Sequence, residues 1–305
     1  MRKYFFSIVF GLLFSIPSAA CLNGETKKLK DGTEISFSHP GMVPRGHHFY
    51  SAEELNKMMK NLEKEYKKTK DIDYLSDKGY ILIILHQYNE AIDLYKEIER
   101  IKPGRYSTAS NIGTAYELAG DNRKALQWIE KSVVIDPDSH SGSEWIHVNI
   151  LKSKMNGDQF LTSQFLLNTD FGTEKVPMTK LSKYELQQLR KALFYQLNER
   201  VSFVHPKDQI VAQLIFDLGN ISFLLSLKNE ALEDYRRSEL FGFQKPLLKE
   251  RIISVSKINN KIESKQNLLN ESTINLMYTI LSVLAISFSG LVVFIFRKKI
   301  ILMLK

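Results

Sequence analysis

The sequence predicts an all-α protein built as a solenoid of paired helices, with different segments attached at its two ends. Two stretches of the chain superpose at a spacing of 34 residues, and the matched pairs are Gly79 with Gly113, Ala91 with Ala125, and Pro103 with Pro137. A period in this range is typical of helical solenoids, in which each unit buries its apolar face by stacking on its neighbours. With 305 residues, of which 44% are hydrophobic, the chain is long enough to bury a continuous core.

The residue types within each repeat predict two helices in close contact. Gly79 and Ala91 lie twelve residues apart, one in each helix, and their small side chains let the helices touch. Tyr95 follows Ala91 by four residues, so its ring lies on the same helix face and fills the gap towards the next unit. Pro103 then ends the pair, because proline has no N–H group to donate and restricts the residue before it.

The same spacing returns later in the chain, where Gly219, Ala231 and Tyr235 form a divergent third copy. At these positions the sequence resembles the tetratricopeptide repeat (TPR) family, over residues 72–139 and 212–245. The resemblance implies a TPR-like superhelix that binds a protein or peptide partner on its inner face. The structural positions that carry the resemblance are Gly79, Ala91, Tyr95, Pro103, Gly113, Tyr116, Ala125, Pro137, Gly219, Ala231 and Tyr235.

Outside the repeats, the sequence predicts capped helices and a short hairpin, which is followed by a loop rich in proline, glycine and histidine up to about Phe49. The Asp-Gly pair at 31–32 suits a two-residue hairpin turn, and Ser51 with Glu54 and Ser182 with Glu185 form capping boxes at two helix starts. The predicted segments are a signal peptide (1–20), an N-terminal arm or hairpin (21–50), a capping helix (51–71), two TPR units (72–139), a degenerate unit with a linker (140–180), helices with the divergent unit (181–245), a helical stalk (246–273), a transmembrane helix (274–296) and a cytoplasmic tail (297–305).

The first twenty residues have the features of a secretory signal peptide. A basic start precedes an apolar run from Tyr4 to Ile16, and the small residues Ser18 and Ala20 suit a cleavage site. The cut then falls before Cys21, which is the single cysteine of the chain, so we expect no internal disulfide. A cysteine at a new N-terminus is also where bacterial lipoproteins are acylated, and lipidation of Cys21 is an open alternative.

Residues 274–296 predict a transmembrane helix. These 23 residues contain no charged side chain, and at about 1.5 Å per residue they span a hydrocarbon core of roughly 30 Å. The basic residues Arg297, Lys298 and Lys299 follow directly, so the positive-inside rule places the C-terminus in the cytoplasm. We therefore expect a single-pass protein of the bacterial inner membrane with its ectodomain in the periplasm.

The basic character of the chain belongs mainly to these two ends. Of the formal net charge of +8, residues 1–20 carry +2 and residues 274–305 carry +4, so the rest of the chain carries only +2. A nucleic-acid partner is therefore not expected, although the pI is about 9.2.

Residues that could support chemistry are few and scattered. His39, His47 and His48 cluster in the N-terminal arm without a companion ligand motif, and Glu144 and His147 share a helix face. The simpler interpretations are solvated loop histidines for the first group and a capping or interhelix hydrogen bond for the second. The sequence contains no nucleophile elbow and no phosphate-binding glycine loop, so we expect no enzymatic activity, no metal and no cofactor.

By the TPR resemblance, the inner-face positions of each first helix are candidates for partner binding. The apolar and hydroxyl-rich character of this set suits a helix or an uncharged extended segment, with Tyr80 and Phe216 as exposed aromatic anchors; the alternative is that the apolar members pack between units. The candidate groove residues are Tyr80, Ile83, Ile84, Ser110, Thr114, Glu117, Phe216, Asn220 and Phe223.

The leading functional hypothesis is a non-catalytic protein–protein interaction scaffold, tethered to the inner membrane by one helix. The alternative is a sensor ectodomain. Because the tail after residue 296 is too short to form a domain, such a sensor would signal through a membrane partner. A metal-dependent envelope enzyme is a third and weaker hypothesis, which depends on the histidines and the glutamate named above.

Overall fold

The computed structural model describes residues 27–38, 42–258, 273–274 and 276–281. The predicted signal peptide, Cys21, the cytoplasmic tail and most of the predicted transmembrane segment lie outside these residues. Within the described ranges, none of the helices combines the length and the apolar character needed to cross a bilayer.

The described chain begins with a short sheet and continues as helices, most of which form antiparallel pairs. The strands are β1 Lys27–Lys28, β2 Glu34–Ser38 and β3 His47–Phe49. The helices are α1 Ala52–Thr69, α2 Ile72–Ile84, α3 Tyr88–Ile101, α4 Tyr106–Leu118, α5 Asn122–Ile135, α6 Ser139–Gly142, α7 Glu144–Asn156, α8 Ser163–Leu167, α9 Lys183–Arg200, α10 Gln209–Leu224 and α11 Lys228–Leu240. Residues 246–258 form a further helix, α12.

The N-terminal arm is a three-stranded antiparallel sheet. The predicted turn at 31–32 joins β1 to β2, with Gly32 at a φ of 83° that a side chain would strain. The stretch up to Phe49, predicted as a loop, is different: it contributes β3, which pairs with β2. Ile35 on β2 is fully buried against α1 and α2, so the sheet covers the start of the solenoid.

Both predicted capping boxes are present at the starts of α1 and α9. The Ser51 hydroxyl accepts the backbone N–H of Glu54 at 3.3 Å, and the Glu54 carboxylate accepts the backbone N–H of Ser51 at 3.0 Å. Ser182 and Glu185 make the same pair of bonds at 3.3 and 2.7 Å. Each box satisfies two backbone donors that the first helical turn leaves without intrahelical partners.

The repeat positions bring the paired helices into direct contact, as predicted. A Cβ atom on Gly79 would lie 2.6 Å from Cζ of Tyr95, and one on Gly219 would lie 2.6 Å from Cδ1 of Tyr235. In the middle unit, Gly113 has the same relation to Ile129. The alanines of the three second helices, Ala91, Ala125 and Ala231, have no exposed surface. These pairs α2–α3, α4–α5 and α10–α11 give the protein a TPR-like helical solenoid.

The degenerate unit joins the two halves of the solenoid. Its first helix, α7, is complete, but its second, α8, has only five residues. Leu151 on α7 belongs to the core formed by α2 to α5, whereas Ile146 and Ile150 belong to the core formed with α8 to α12. One helix therefore contributes side chains to two hydrophobic cores.

The region predicted as a stalk begins as part of the folded domain. In α12, Leu248, Arg251 and Val255 are almost fully buried. The Arg251 guanidinium donates to the carbonyl of Phe171 at 2.9 Å and to that of Gly172 at 2.6 Å. These bonds fix the loop between α8 and α9 against the last repeat, so a free stalk can begin only after residue 258.

The helix contact at Gly79 leads to a prediction about stability. In an isolated helix, Gly→Ala stabilises by about 1 kcal/mol. Here the added methyl group would force the buried Tyr95 ring to move, and overpacking of this kind costs about 1 to 3 kcal/mol. We therefore expect Gly79→Ala to lower the free energy of unfolding, as measured by chemical denaturation. In the double variant with Tyr95→Leu, the two losses should be less than additive, because the shorter side chain leaves room for the methyl group. An increase in stability for Gly79→Ala alone would contradict the close contact.

Candidate functional site

The inner face of the first two repeats borders a pocket of about 90 Å³. Residues of α2, α4, α7 and the end of α9 line it, together with His140, Phe203 and Val204. Five of the nine candidate groove residues line this pocket: Tyr80, Ile83, Ser110, Thr114 and Glu117.

The other four candidates lie elsewhere. Ile84 packs in the cluster formed by the N-terminal sheet, α1 and α2. Phe216 and Phe223 belong to the core of the second half, where the ring of Phe216 stacks on Phe243 at 4.2 Å between centroids. Asn220 is fully buried and accepts a hydrogen bond from the Tyr235 hydroxyl at 2.9 Å. The candidates of the third repeat therefore do not join those of the first two.

The expectation that Tyr80 and Phe216 are exposed anchors is wrong. Tyr80 retains 7% of its surface and Phe216 retains 4%. The N-terminal sheet and α1 pack against Tyr80, and the segment around Phe243 packs against Phe216. The two rings thus contribute to the cores, because segments outside the repeats cover the positions that an isolated repeat would expose.

The pocket has a buried carboxylate, Glu117, at its base. The guanidinium of Arg200 donates two hydrogen bonds to it, at 2.7 and 3.2 Å. The ammonium of Lys154 lies 2.7 Å from the same carboxylate, and Nε2 of His147 lies 2.6 Å from it. Glu117 therefore connects α4 to α7 and to the end of α9, which is 83 residues away in sequence.

A second buried carboxylate, Glu144, lies beside the first. It accepts hydrogen bonds from the hydroxyls of Tyr106 at 2.7 Å and Ser110 at 3.1 Å. Nδ1 of His140 lies 2.7 Å from it, and Nδ1 of His147 lies 3.6 Å from it. The pair Glu144 and His147, noted in the sequence for its spacing, thus belongs to an interhelix network, in agreement with the simpler of the two interpretations.

The charged groups of this network shift the pKa values of one another. Burial by itself raises the pKa of the Glu117 carboxyl, but Arg200, His147 and Lys154 together hold that pKa well below its usual range. For the His147 imidazole, burial lowers the pKa, but the Glu117 and Glu144 carboxylates outweigh burial and raise it. The network therefore favours a charged imidazole between two carboxylates.

His140 reaches the pocket from a strained turn. His140 and the next residue, Ser141, have φ values of 51° and 60°, in the left-handed region that costs a residue with a side chain about 1 kcal/mol or more. The turn places the imidazole over the ring of Tyr195, at 4.9 Å between centroids and 23° between planes. The contacts with Glu144 and Tyr195 offset the strain.

The N-terminal arm is hydrogen-bonded to the C-terminal end of α9. The amide side chain of Asn198 accepts the backbone N–H groups of Arg45 and Gly46 at 3.2 and 3.0 Å. Nε2 of His47 lies 2.9 Å from the carboxylate of Glu199, which lines the pocket. The arm and the pocket thus meet at the same end of α9 and share Glu199.

The histidines considered as metal ligands do not assemble into a site in the described part of the chain. His47 is paired with Glu199, His48 is exposed on β3, and His39 lies outside the described residues. Among the described residues, the structure contains no group of three or more histidine, cysteine, aspartate or glutamate side chains placed to hold a metal ion.

Sequence reasoning did not identify α9 as part of the pocket. Arg200, Glu199 and Tyr195 lie outside the repeat copies, and Lys154 lies on the degenerate unit. Arg200 gives no local signal, because it is one of six charged residues in α9. Its partner is 83 residues earlier in the chain, and no pattern in one sequence connects the two.

Comparison with known proteins finds similarity over only part of the chain. No family model matches the chain. A heat-shock protein cognate co-chaperone, sgt12 of Aspergillus fumigatus, is 33% identical over 69 residues, which cover 23% of this chain and 20% of that protein. The matched region thus spans a fifth of the curated relative.

Several solved TPR structures are similar at low identity. A TPR protein of Parabacteroides merdae is 14% identical with a TM-score of 0.32, covering 67% of this chain and 93% of that one. A TPR protein of Thermus thermophilus is 12% identical with a TM-score of 0.34, covering 67% and 91%. The TPR2AB domain of yeast Sti1, solved with an Hsp90 peptide, is 15% identical with a TM-score of 0.32, covering 70% and 81%. The TPR-like architecture of this chain is defined by its own helix pairs.

The ion pair between Glu117 and Arg200 leads to a second prediction. Arg200→Met leaves a buried carboxylate with fewer partners, and breaking such a pair costs about 3 kcal/mol. In the double variant with Glu117→Gln, the loss should be clearly smaller than the sum of the single losses, as measured by urea unfolding of all four proteins. Lys152→Met is the control on α7, because its pair with Glu130 at 2.9 Å is exposed and contributes under about 1 kcal/mol. Equal losses for the Lys152 and Arg200 variants would contradict the structural role of Glu117.

Proposed function

We propose that this protein is a non-catalytic interaction scaffold and that the pocket beside α2 and α4 is where it contacts a partner protein. The observation that carries the proposal is the position of the pocket, on the inner face of the first two repeats. The repeats supply half-buried residues there, such as Thr114 and Leu118, instead of a sealed core. A concave surface with apolar and hydroxyl groups suits a peptide segment or a helix of another protein.

The chemistry of the pocket favours binding over catalysis. Its carboxylates Glu117 and Glu144 are held by several hydrogen bonds each, and both lie almost fully beneath the surface. A general acid or base must exchange protons with a substrate and has its pKa near the working pH. Glu117 instead has a pKa held far below neutrality, which suits a permanent structural charge.

The likeness to a co-chaperone over 69 residues is consistent with a partner-binding role for the repeat segment. Because that likeness covers only 20% of the relative, the proposal does not extend to the pathway in which the relative acts.

A photo-crosslinking experiment tests the proposed surface. A benzoyl-phenylalanine incorporated in place of Leu118, at the pocket wall, should form a covalent adduct with a partner polypeptide in living cells. The same group in place of Gln127, which is exposed on α5 of the same unit, is the matched control and should give no such adduct. Adducts would be detected by immunoblotting and identified by mass spectrometry. An adduct from position 127 without one from position 118 would move the contact to the outer face.

We further propose that the scaffold is anchored in the bacterial inner membrane through residues 274–296, with residues 1–20 serving as its export signal. The described part of the anchor, residues 276–281, is helical, and its side chains Leu276, Met277 and Leu281 are more than half exposed. Exposed apolar side chains in a row are unfavourable in water and suit contact with lipid. Acylation of Cys21 would add a second anchor.

Protease accessibility tests this topology. Protease added to spheroplasts should digest the repeats, because the proposed export signal and the basic residues after 296 both predict an ectodomain outside the cytoplasm. An epitope at the C-terminus should stay protected until the membrane is permeabilised. The reverse pattern, with a protected ectodomain and an accessible C-terminal epitope, would contradict the orientation.

A further inference from the structure

The inner face of the repeats is not an open groove, because the chain covers it with its own helix α9. Gln196 on α9 donates to the hydroxyl of Ser143 at 3.0 Å, and Arg200 holds Glu117 with two bonds. The N-terminal arm also binds this helix end, through Asn198 and Glu199. An extended peptide that runs along the inner face would collide with α9, so only the pocket beside its last turn is accessible.

The size of this pocket fits one side chain. Its volume is about 90 Å³, several times the roughly 15 Å³ that one water needs. That space admits the end of one side chain, whereas a folded domain is too large to enter.

The carboxylates around the pocket already have partners. Glu117 lies 2.7 Å from Arg200, Glu144 lies 2.7 Å from Nδ1 of His140, and Glu199 lies 2.9 Å from Nε2 of His47. A charged group that entered would lose its hydration and would compete with these partners for the same carboxylates, which is costly. This arrangement therefore favours an uncharged occupant.

The walls supply apolar contact area. Ile83 and Leu118 line the pocket from the repeats, Tyr195 lines it from α9, and Phe203 and Val204 line it from the segment after α9. Ten of the sixteen lining residues are polar, so the apolar contact area for an anchor residue of a partner comes from these side chains.

We propose that this pocket binds one uncharged aromatic or aliphatic side chain presented by a partner protein, as the anchor of the interaction. This inference rests on the proposed scaffold function and makes it more specific. It replaces the binding of an extended segment across three repeats with the recognition of a single residue at the junction of α2, α4 and α9.

Short probes test the choice of side chain. Tripeptides blocked at both ends, with glycine on each side of phenylalanine, leucine, lysine or glutamate, would be titrated against the full chain in detergent and observed by ligand NMR. The phenylalanine and leucine probes should bind with an affinity on the order of 1 mM, as one buried side chain allows. The lysine and glutamate probes should show no binding at the same concentrations.

Filled-pocket variants test the location. Thr114→Phe, on α4, and Val204→Phe, after α9, occupy the pocket from two different segments and should weaken the binding of the phenylalanine probe at least tenfold. Gln127→Phe, on the outer face of α5, is the matched control for an added aromatic ring and for partition of the probe into micelles, and it should bind like wild type. Circular dichroism would show that each variant is folded.

Two results would overturn the inference. One is binding of the charged probes as strong as that of the neutral probes, a comparison made on the unmodified chain and therefore independent of the variants. The other is unchanged binding of the phenylalanine probe in a folded Thr114→Phe or Val204→Phe protein.

If no probe binds although position 118 crosslinks to a partner, the single-residue inference is wrong and the scaffold function stands. If neutral probes bind but no partner crosslinks, the scaffold function is wrong instead.

Discussion

The buried charge of Glu117 is the constraint on which the arrangement around the pocket depends. A carboxylate removed from water is strongly unfavourable unless cations and donors replace its hydration. Here the replacements come from α7, through Lys154 and His147, and from α9, through Arg200. Because all three must meet one side chain of α4, the two later helices have little freedom in where they lie. The polar network thus supplies the geometric specificity that non-directional hydrophobic contact between the same helices does not.

The two hydrophobic cores also fix the positions of these helices. The first two repeats share one core and the later helices share another, and α7 contributes side chains to both. Since α8 has only five residues, the degenerate unit cannot continue the stack as a full helix pair would. The chain instead folds α9 across the inner face, where Arg200 meets Glu117. The shortness of α8 and the position of α9 over the inner face are thus linked features of the packing.

Segments outside the repeats complete the structure by similar long-range bonds. The arm reaches α9 through Arg45 and Gly46, more than 150 residues away in sequence. Arg251 of α12 binds carbonyls of the loop before α9, about 80 residues earlier. In both cases directional hydrogen bonds fix a segment that also packs an apolar side chain into a core, Ile35 from the arm and Phe171 from the loop. These bonds also explain why the groove residues are covered: the repeats are one part of a larger folded unit.

The sequence alone determined the local features of this protein. The helix pairs, the close contacts at Gly79 and Gly219 and the two capping boxes follow from residue type and short spacing, which act within a few turns of helix. The tertiary structure alone decided which inner-face residues are accessible, because burial of Tyr80 and Phe216 depends on segments that carry no repeat pattern. It also decided the pairing of Glu117 with Arg200, since an ion pair across 83 residues arises from the packing of three helices and leaves no periodic signal in one sequence.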